Sequence, residues 1–364
     1  MRFRLLEILE VTGGGEVGGT QVGETFSTFH TDSREVQSGG VFFALRGAEM
    51  DGHDFVGDAI TRGAAAVVVQ RKTELKPGVV EMGLQRPGDI AKLAALAKPV
   101  IGIVTNVGVV HMEFFGSHEE LARSKGELVA ALPEEGLAVL NADNEFFPLL
   151  VQMSSAKVAS FGQDRGDYRV QGYEPLSGGG ARFSVGGVEI QMALDGRHQA
   201  LNAAAALAAC EFAGVPVAAA AEALANVRVD HRMEEVITPA GFSVIDDAYN
   251  ASPESMLAAF DTVAEGPRPG KLLAVLGEMR ELGSLSEEAH RRVGKRAAEV
   301  FDAVAVVDGE RARPMAEAAG AEVVPDRAAA LAWVRGHASP GDRVLVKASH
   351  GVRLDELVKE LTAV

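Results

Sequence analysis

One cysteine, Cys210, occurs among 364 residues. A single thiol excludes a disulfide framework and a cysteine-built zinc site. It ends the run "NAAAALAAC" at 202–210, the nearest approach to a long apolar stretch, and that run is far too short to cross a bilayer. Positive charge is also scarce: 35 Lys and Arg face 51 Asp and Glu, a net charge of −16. An acidic chain without a basic patch argues against non-specific binding to nucleic acid or to an anionic membrane. The opening "MRFRLLEILE" carries Glu7 and Glu10 where a signal peptide needs an unbroken apolar core. These absences lead us to expect a cytoplasmic, soluble protein with no nucleic-acid partner and no membrane insertion. The length leaves room for two or three domains.

What the chain does have is a rhythm of strand followed by helix. Strand-like runs are "VFFAL" (41–45), "AAVVV" (65–69), "VVEM" (79–82), "VIGIVTN" (100–106), "LAVLN" (137–141), "FSVIDD" (242–247), "KLLAVLGE" (271–278), "AVAVV" (303–307) and "RVLVKAS" (343–349). Amphipathic helical runs such as "PGDIAKLAALAK" and "SEEAHRRVGKRAAEV" lie between them. Alternating units with continuously apolar strands predict an α/β fold with parallel sheets covered on both faces. One stretch differs. Residues 168–194 alternate in polarity and turn on glycines, which predicts antiparallel hairpins, and two Ala-rich helices follow at 199–213 and 215–226. Cuts near 77 and 229 divide the chain into 1–76, 77–229 and 230–364.

In open α/β sheets, ligands bind beyond the carboxyl ends of the strands. The polar residues just after strand-like runs are Glu81, Asn106, His111, Asp246, Asp247, Glu278 and Ser349. Singly, each also suits a helix cap, a turn or a structural histidine. Together they describe a cleft lined by acids and a histidine, suited to a divalent cation with phosphate. Lys125 is odder. In "TNVGVVHMEFFGSHEELARSKGEL" (105–128) a helix begins at Ser117, and Leu121, Lys125, Leu128 and Leu132 share one face. The plain explanation is a stem packed on the apolar stripe with its amine reaching water. The alternative is chemical. Burial lowers a lysine's pKa, a neutral amine adds carbon dioxide, and the resulting carbamate presents oxygens to a hard metal ion.

The segment "TNVG…H…FGS…E.LARSKGEL" resembles the central-domain signature of the Mur ligases, ATP-dependent amide-forming enzymes of peptidoglycan synthesis. The resemblance implies three domains: an N-terminal uridine-nucleotide domain, a parallel-sheet nucleotide-binding central domain and a Rossmann-like C-terminal domain. It covers nearly the whole chain, with several long matches in order. "TDSREVQSGGVFFALRGAEMDGHDF" (31–55), "VVEMGLQRPGDI" (79–90), "DHRMEE", "IDDAYNASPESM" (245–256) and "LAVLGEMRELGSLSEEAH" all fit the branch that joins D-alanyl-D-alanine to UDP-N-acetylmuramoyl-tripeptide. In that family the lysine is carbamylated, and the resemblance implies that Lys125, His111 and Glu81 are catalytic and hold Mg2+. It also implies that Ser33, Arg34, Arg46, Gly52 and His53 meet the uridine diphosphate through charge-assisted and backbone hydrogen bonds. Asn106, Asn202, Arg232, Asp247, Tyr249 and Asn250 would serve ATP. The family usually shows Asn where Ser252 stands. Each residue has a plainer alternative: an ordinary turn for Ser33 and Arg34, a solvated helix residue for Asn202, an interdomain salt bridge for Arg232 and Asp247. Glu281 and His290 are read as supporting the fold. The expected form is a monomer. A weaker resemblance, to folate glutamylation or cyanophycin chemistry, is disfavoured by the N-terminal "DSR…DGH" segment.

One departure outweighs the rest. Such a ligase needs a Gly-rich loop ending in Gly-Lys-Thr or Gly-Lys-Ser, whose N–H groups, lysine and hydroxyl hold the nucleotide phosphates and magnesium. The sequence has none. "GPRPGKL" (266–272) has the wrong spacing and precedes a C-terminal strand. "VVVQRKTELKPG" runs almost directly into "VVEMG", where relatives place a strand, the loop and further helices. Either the protein has lost this segment and with it ATP turnover, leaving a non-catalytic uridine-nucleotide-binding relative, or the sequence is closed over residues that the natural protein has. Because a deleted parallel strand would leave neighbouring backbone edges open, the second is the expectation. A Cα–Cα distance well above about 3.8 Å at Gly78–Val79 would mark such a gap.

Overall fold

A computed structural model describes residues 3–4, 25–26, 28–37, 39–45, 51–64, 66–69, 79–109, 112–176, 179–227, 229 and 233–363. Arg46, His111, Arg232 and the Gly78–Val79 junction lie outside the described residues. The chain forms two compact units. One comprises Met1–Leu84 with Gly88–Pro99, and the other Gln85–Pro87 with Val100–Val364.

In the first unit, β1 (Phe3–Arg4) pairs antiparallel with β2 (Thr25–Phe26). β3 (Phe29–His30), β4 (Val41–Ala44) and β5 (Ala66–Val69) form a parallel sheet in that order. Phe42 and Ala44 pack with Val56 and Ala59 of α1 (Val56–Thr61). α2 (Asp89–Ala97) follows later, buried through Ile90 and Ala94. The "VVEM" run, expected as a strand, is irregular here: no described strand lies beside 79–84 to complete a ladder, and apolar character alone does not make one.

The second unit holds two six-stranded sheets. The first contains β6 (Ile101–Val104), β7 (Leu137–Asn141), β8 (Lys157–Gly162), β9 (Tyr168–Pro175), β10 (Ala181–Val185) and β11 (Val188–Met192). β6 to β9 pair in parallel, whereas β9, β10 and β11 are antiparallel, as the glycine-punctuated alternation predicts. α3 (His118–Ala130) and α4 (Phe147–Met153) accompany the parallel part. α5 (Arg197–Phe212) brings Ala200, Ala203, Ala204 and Leu207, and α6 (Val217–Leu224) brings Ala220 and Ala221, into one core with Val139, Phe183 and Ile190. Alanine's small side chain lets these helices lie close to the sheet. Among the described residues β6 ends this sheet, with β7 as its only partner.

The second sheet runs β12 (Glu234–Ile237), β13 (Ser243–Asp246), β17 (Arg343–Lys347), β14 (Leu272–Leu276), β15 (Ala303–Val307) and β16 (Glu322–Val324). Only β12 is antiparallel. Leu272, Ala274 and Leu276 face α7 (Pro253–Glu265), α8 (Ser286–Val300) and α9 (Arg313–Ala319). Leu273 and Val275 face α10 (Arg327–His337) and α11 (Leu354–Thr362) on the opposite side. That alternation is the two-residue period of a strand buried on both faces. Helices leave β13 and β14 toward one face and β17 toward the other, so the strand order reverses beside β17 and a crevice opens at its carboxyl end.

Candidate functional site

Lys125 sits on α3, whose first turn is well capped: Ser117 Oγ accepts from Glu120 N at 3.1 Å, with Glu119 and Glu120 set against the helix dipole. Leu121 and Val129 are fully buried, and the apolar stripe draws the lysine inward with them. Its Nζ does not reach for water along the outer surface. It donates to the main-chain oxygen of Asn106 at 3.1 Å, in the loop that follows β6. That loop is held by the end of β7 and the turn beyond it: Asn141 Nδ2 donates to Thr105 O at 3.1 Å, and Asn144 Nδ2 donates to Asn106 Oδ1 at 2.6 Å. Burial pushes the Lys125 pKa down, opposed by the carboxylate of Glu254. Glu254 lies in the first turn of α7 and packs on the same loop; a Cβ at Gly108 would stand 3.1 Å from its Oε2. Asn141, Asn144 and Glu254 escaped the sequence reading because each is remote in the chain from the lysine it helps to place.

At the crevice of the second sheet, Asp246 Oδ1 accepts from Ala248 N at 3.0 Å and shapes the turn after β13. Asp247 is buried, and its Oδ2 takes a hydrogen bond from Lys347 Nζ at 2.6 Å. Lys347, 1% exposed at the end of β17, also donates to Asn250 O at 3.0 Å. The Asp247–Lys347 pair joins β13's end to β17 within this sheet. Ser252 caps α7 in a reciprocal box with Ser255, and Asn250 Oδ1 accepts from Ala251 N at 2.8 Å. Tyr249, Asn250, Arg280, Glu281, Ser349 and His350 line a cleft of about 400 Å³. Tyr249 is exposed, its ring 6.5 Å from that of His350. Arg280 pairs with Glu278 at 2.6 Å, and its N–H donates to Ser349 Oγ at 3.0 Å. Arg280 and His350 were not singled out in the sequence, since neither stands directly at a strand end. Asn202 lies elsewhere, exposed on α5, its Nδ2 donating to Gln199 Oε1 at 3.1 Å.

In the first unit, β3 and β4 are parallel neighbours, so their carboxyl ends lie at the same edge of the sheet. Asp32 caps the turn Ser33–Glu35 by accepting from Arg34 N at 3.0 Å, and grips the Arg34 guanidinium through Nε at 2.9 Å and Nη2 at 2.6 Å. Those bonds hold the Asp32 pKa down at about 2. Ser33 is buried. Gly52 N–H donates to Leu45 O at 2.8 Å, and a Cβ there would lie 2.6 Å from that oxygen, so only glycine permits the approach. His53 is buried, with Nδ1 at 2.6 Å from Asp51 Oδ1. Glu81 is an exposed residue of this unit. Among the described residues no group of three or more His, Cys, Asp and Glu side chains converges as a metal site, and the sequence supplies no phosphate loop.

Comparison with known proteins agrees with this arrangement. A Mur ligase middle domain matches residues 61–210, and a Mur ligase glutamate ligase domain matches 231–350. A Bacillus subtilis protein is 33% identical over 359 residues, covering 95% of this chain and 76% of its own. An Escherichia coli protein is 28% identical over 438 aligned positions, covering 95% of this chain and 96% of its own. The chain spans 62% of the length of a Mycobacterium leprae relative to which it is 37% identical. A crystal structure from Thermotoga maritima, a MurF ligase in complex with ADP, superposes with a TM-score of 0.70 at 26% identity, covering 92% of this chain and 96% of that one. The chain belongs to the Mur ligase family. Its relatives from B. subtilis, E. coli and M. leprae all bear the name UDP-N-acetylmuramoyl-tripeptide–D-alanyl-D-alanine ligase. The E. coli alignment runs over 438 positions against 364 residues here, so that relative has residues with no counterpart in this chain.

Proposed function

We propose that this protein is the ATP-dependent amide ligase of peptidoglycan precursor synthesis that joins D-alanyl-D-alanine to UDP-N-acetylmuramoyl-tripeptide, divided near residues 77 and 229 into uridine-nucleotide, central and C-terminal domains. The observation that carries the reading is Lys125: an inward amine of lowered pKa, aimed at the loop beyond β6, in a chain related over 95% of its length to a ligase of that name. The turns at Ser33–Glu35 and Gly52–Phe55 support a diphosphate site at the strand ends of the first unit. Mg2+, when bound, would offset charge on the phosphoryl group being transferred. Lys125 as a carbamate, with His111 and Glu81, supplies the donor types that a hard cation takes. The cleft beside β17, with Tyr249 and Asn250, serves the nucleotide from the C-terminal side. The protein works in the cytoplasm as a monomer.

The 364-residue chain lacks a phosphate loop, and in phosphoryl transfer positioning and charge stabilisation supply most of the catalysis. As this 364-residue sequence stands, without that loop, it should bind UDP-N-acetylmuramoyl-tripeptide without turnover, whereas a protein that has the loop should turn over. Calorimetric titration with that substrate should give saturable binding, weakened at least about tenfold by Arg34→Ala, which removes a charge-assisted partner. Absence of binding, or equal affinity in Arg34→Ala, would count against the reading. Phosphate release that depends on D-alanyl-D-alanine from the unaltered chain would require a different phosphate site.

A further inference from the structure

His290 is completely buried on α8, and both of its ring nitrogens are engaged. Nδ1 lies 2.7 Å from Ser286 O, a carbonyl that can only accept, so Nδ1 carries the proton. Nε2 is then a lone pair, and it accepts from Met279 N at 2.9 Å. Met279 is itself fully buried in the loop after β14, where its N–H would otherwise go unmet. Burial lowers the His290 pKa, which keeps that lone pair available at neutral pH.

The loop so held has two working sides. On one, Arg280 N–H donates to Ser349 Oγ at 3.0 Å, and Ser349 N–H donates to Glu278 O at 3.1 Å, which carries Arg280 to the cleft beside β17. On the other, Glu281 adopts a φ of +62°, costly for a residue with a side chain, and its oxygen accepts from Glu113 N at 3.4 Å. Gly283, with a φ of +55°, follows; a Cβ there would stand 3.0 Å from Glu113 Cα. Glu113 belongs to the short turn Met112–Phe114, immediately after His111. Leu282, 2% exposed, anchors the loop between these two sides.

We propose that His290 is a positioning residue: through its Nε2 lone pair it fixes the 279–283 loop so that Arg280 reaches the strand-end cleft and Gly283 seats on the Met112–Phe114 turn. The consequence for catalysis rests on the ligase reading, because the seated turn adjoins His111. The coupling itself does not, and it can be measured without turnover.

Amide hydrogen exchange of the intact chain tests it. His290→Asn keeps a donor near Ser286 but is too short to accept from Met279, whereas His290→Gln can present an acceptor there. In His290→Asn, peptides covering 278–284 and 112–116 should exchange roughly tenfold faster, as for the loss of a buried hydrogen bond, while those from β14, β15 and β17 stay unchanged. His290→Gln should return both to near the original rate. Gly283→Ala should speed exchange in 112–116 and leave the Met279 amide protected, and it keeps the test open if His290→Asn fails to fold. Unchanged exchange at 112–116 in either variant, faster exchange spread over the whole sheet, or no rescue by Gln would overturn the proposal. A failed ligase reading would instead appear as missing substrate binding with this coupling intact.

Discussion

The two sheets of the second unit differ in completeness. The C-terminal one has five parallel strands and one antiparallel edge strand, helices on both faces, and strand-end loops tied to one another by Lys347, Ser349 and His290. The central one stops at β6, whose far edge pairs with no strand among the described residues, although β6 leads into the loop that receives Lys125. Parallel sheets normally bury their strands on both sides, and an open edge is a liability that folded proteins avoid. Among the described residues the central sheet has its lysine, its capped helix and its asparagine staples beside an unpaired β6 edge, and the sequence holds no Gly-rich phosphate loop.

The strongest way to break the contrast is to repair it. Inserting the segment of the E. coli relative between Val69 and Val79 should convert a chain with no turnover into one releasing phosphate in the presence of D-alanyl-D-alanine, at a rate on the order of 1–10 per second. If the repaired chain stays inactive while binding both substrates, the gap is not what separates the two sheets in function. Next in size is Lys125. In the repaired chain Lys125→Ala should lower kcat by about 10²–10³-fold, the range seen when one charge-stabilising group is removed. Added acetate should recover part of that loss, and Lys125→Arg should not, because it retains the positive charge. Full activity in Lys125→Arg would exclude the carbamate.

The completeness of the C-terminal sheet predicts a stability effect. Lys347→Ala removes the buried ammonium that pairs with Asp247 at 2.6 Å and should cost about 3–5 kcal/mol in urea unfolding. Replacing both residues with apolar ones of similar size should cost much less, and equal costs would mean that the pair is not what closes the strand ends. The smallest effect concerns His290. Its folded pKa is lowered by burial, opposed by the hydrogen bond to the Ser286 carbonyl and by Glu278, and assisted slightly by Arg311. The unfolded chain therefore takes up a proton as pH falls through about 6.5 while the folded chain resists, so this group's contribution is present above that pH and is lost below it. The slope is at most about 1.4 kcal/mol per pH unit. Urea midpoints at pH 7.5 and 5.5 should differ less in His290→Gln than in the original chain, and an identical difference would remove His290 from the account.

Much of this was legible in the sequence. Continuous apolar runs between amphipathic helices marked the parallel strands, and the glycine-rich alternation of 168–194 marked the hairpins, because side-chain period and turn chemistry are local properties. The "VVEM" run failed as a strand for the same reason that others succeeded: a strand also requires a neighbour, and a neighbour is not a local property. Lys125 could be assigned to the apolar face of its helix from spacing alone, but its acceptor, Asn106 O, and the opposing carboxylate of Glu254 come from other elements.

By itself, the sequence determined the α/β class, the capped start of α3, the place of Lys125 on that helix's apolar face and the absence of a phosphate loop, since each depends on residue type and spacing along a short stretch. Only the tertiary structure decided that Asp247 belongs to Lys347, a hundred positions away, that Arg280 shares a cleft with Tyr249 and His350, and that His290 holds the loop seated on Glu113. Those outcomes depend on which strand ends become neighbours when β17 inserts between β13 and β14, and strand order is set by the packing of the whole sheet.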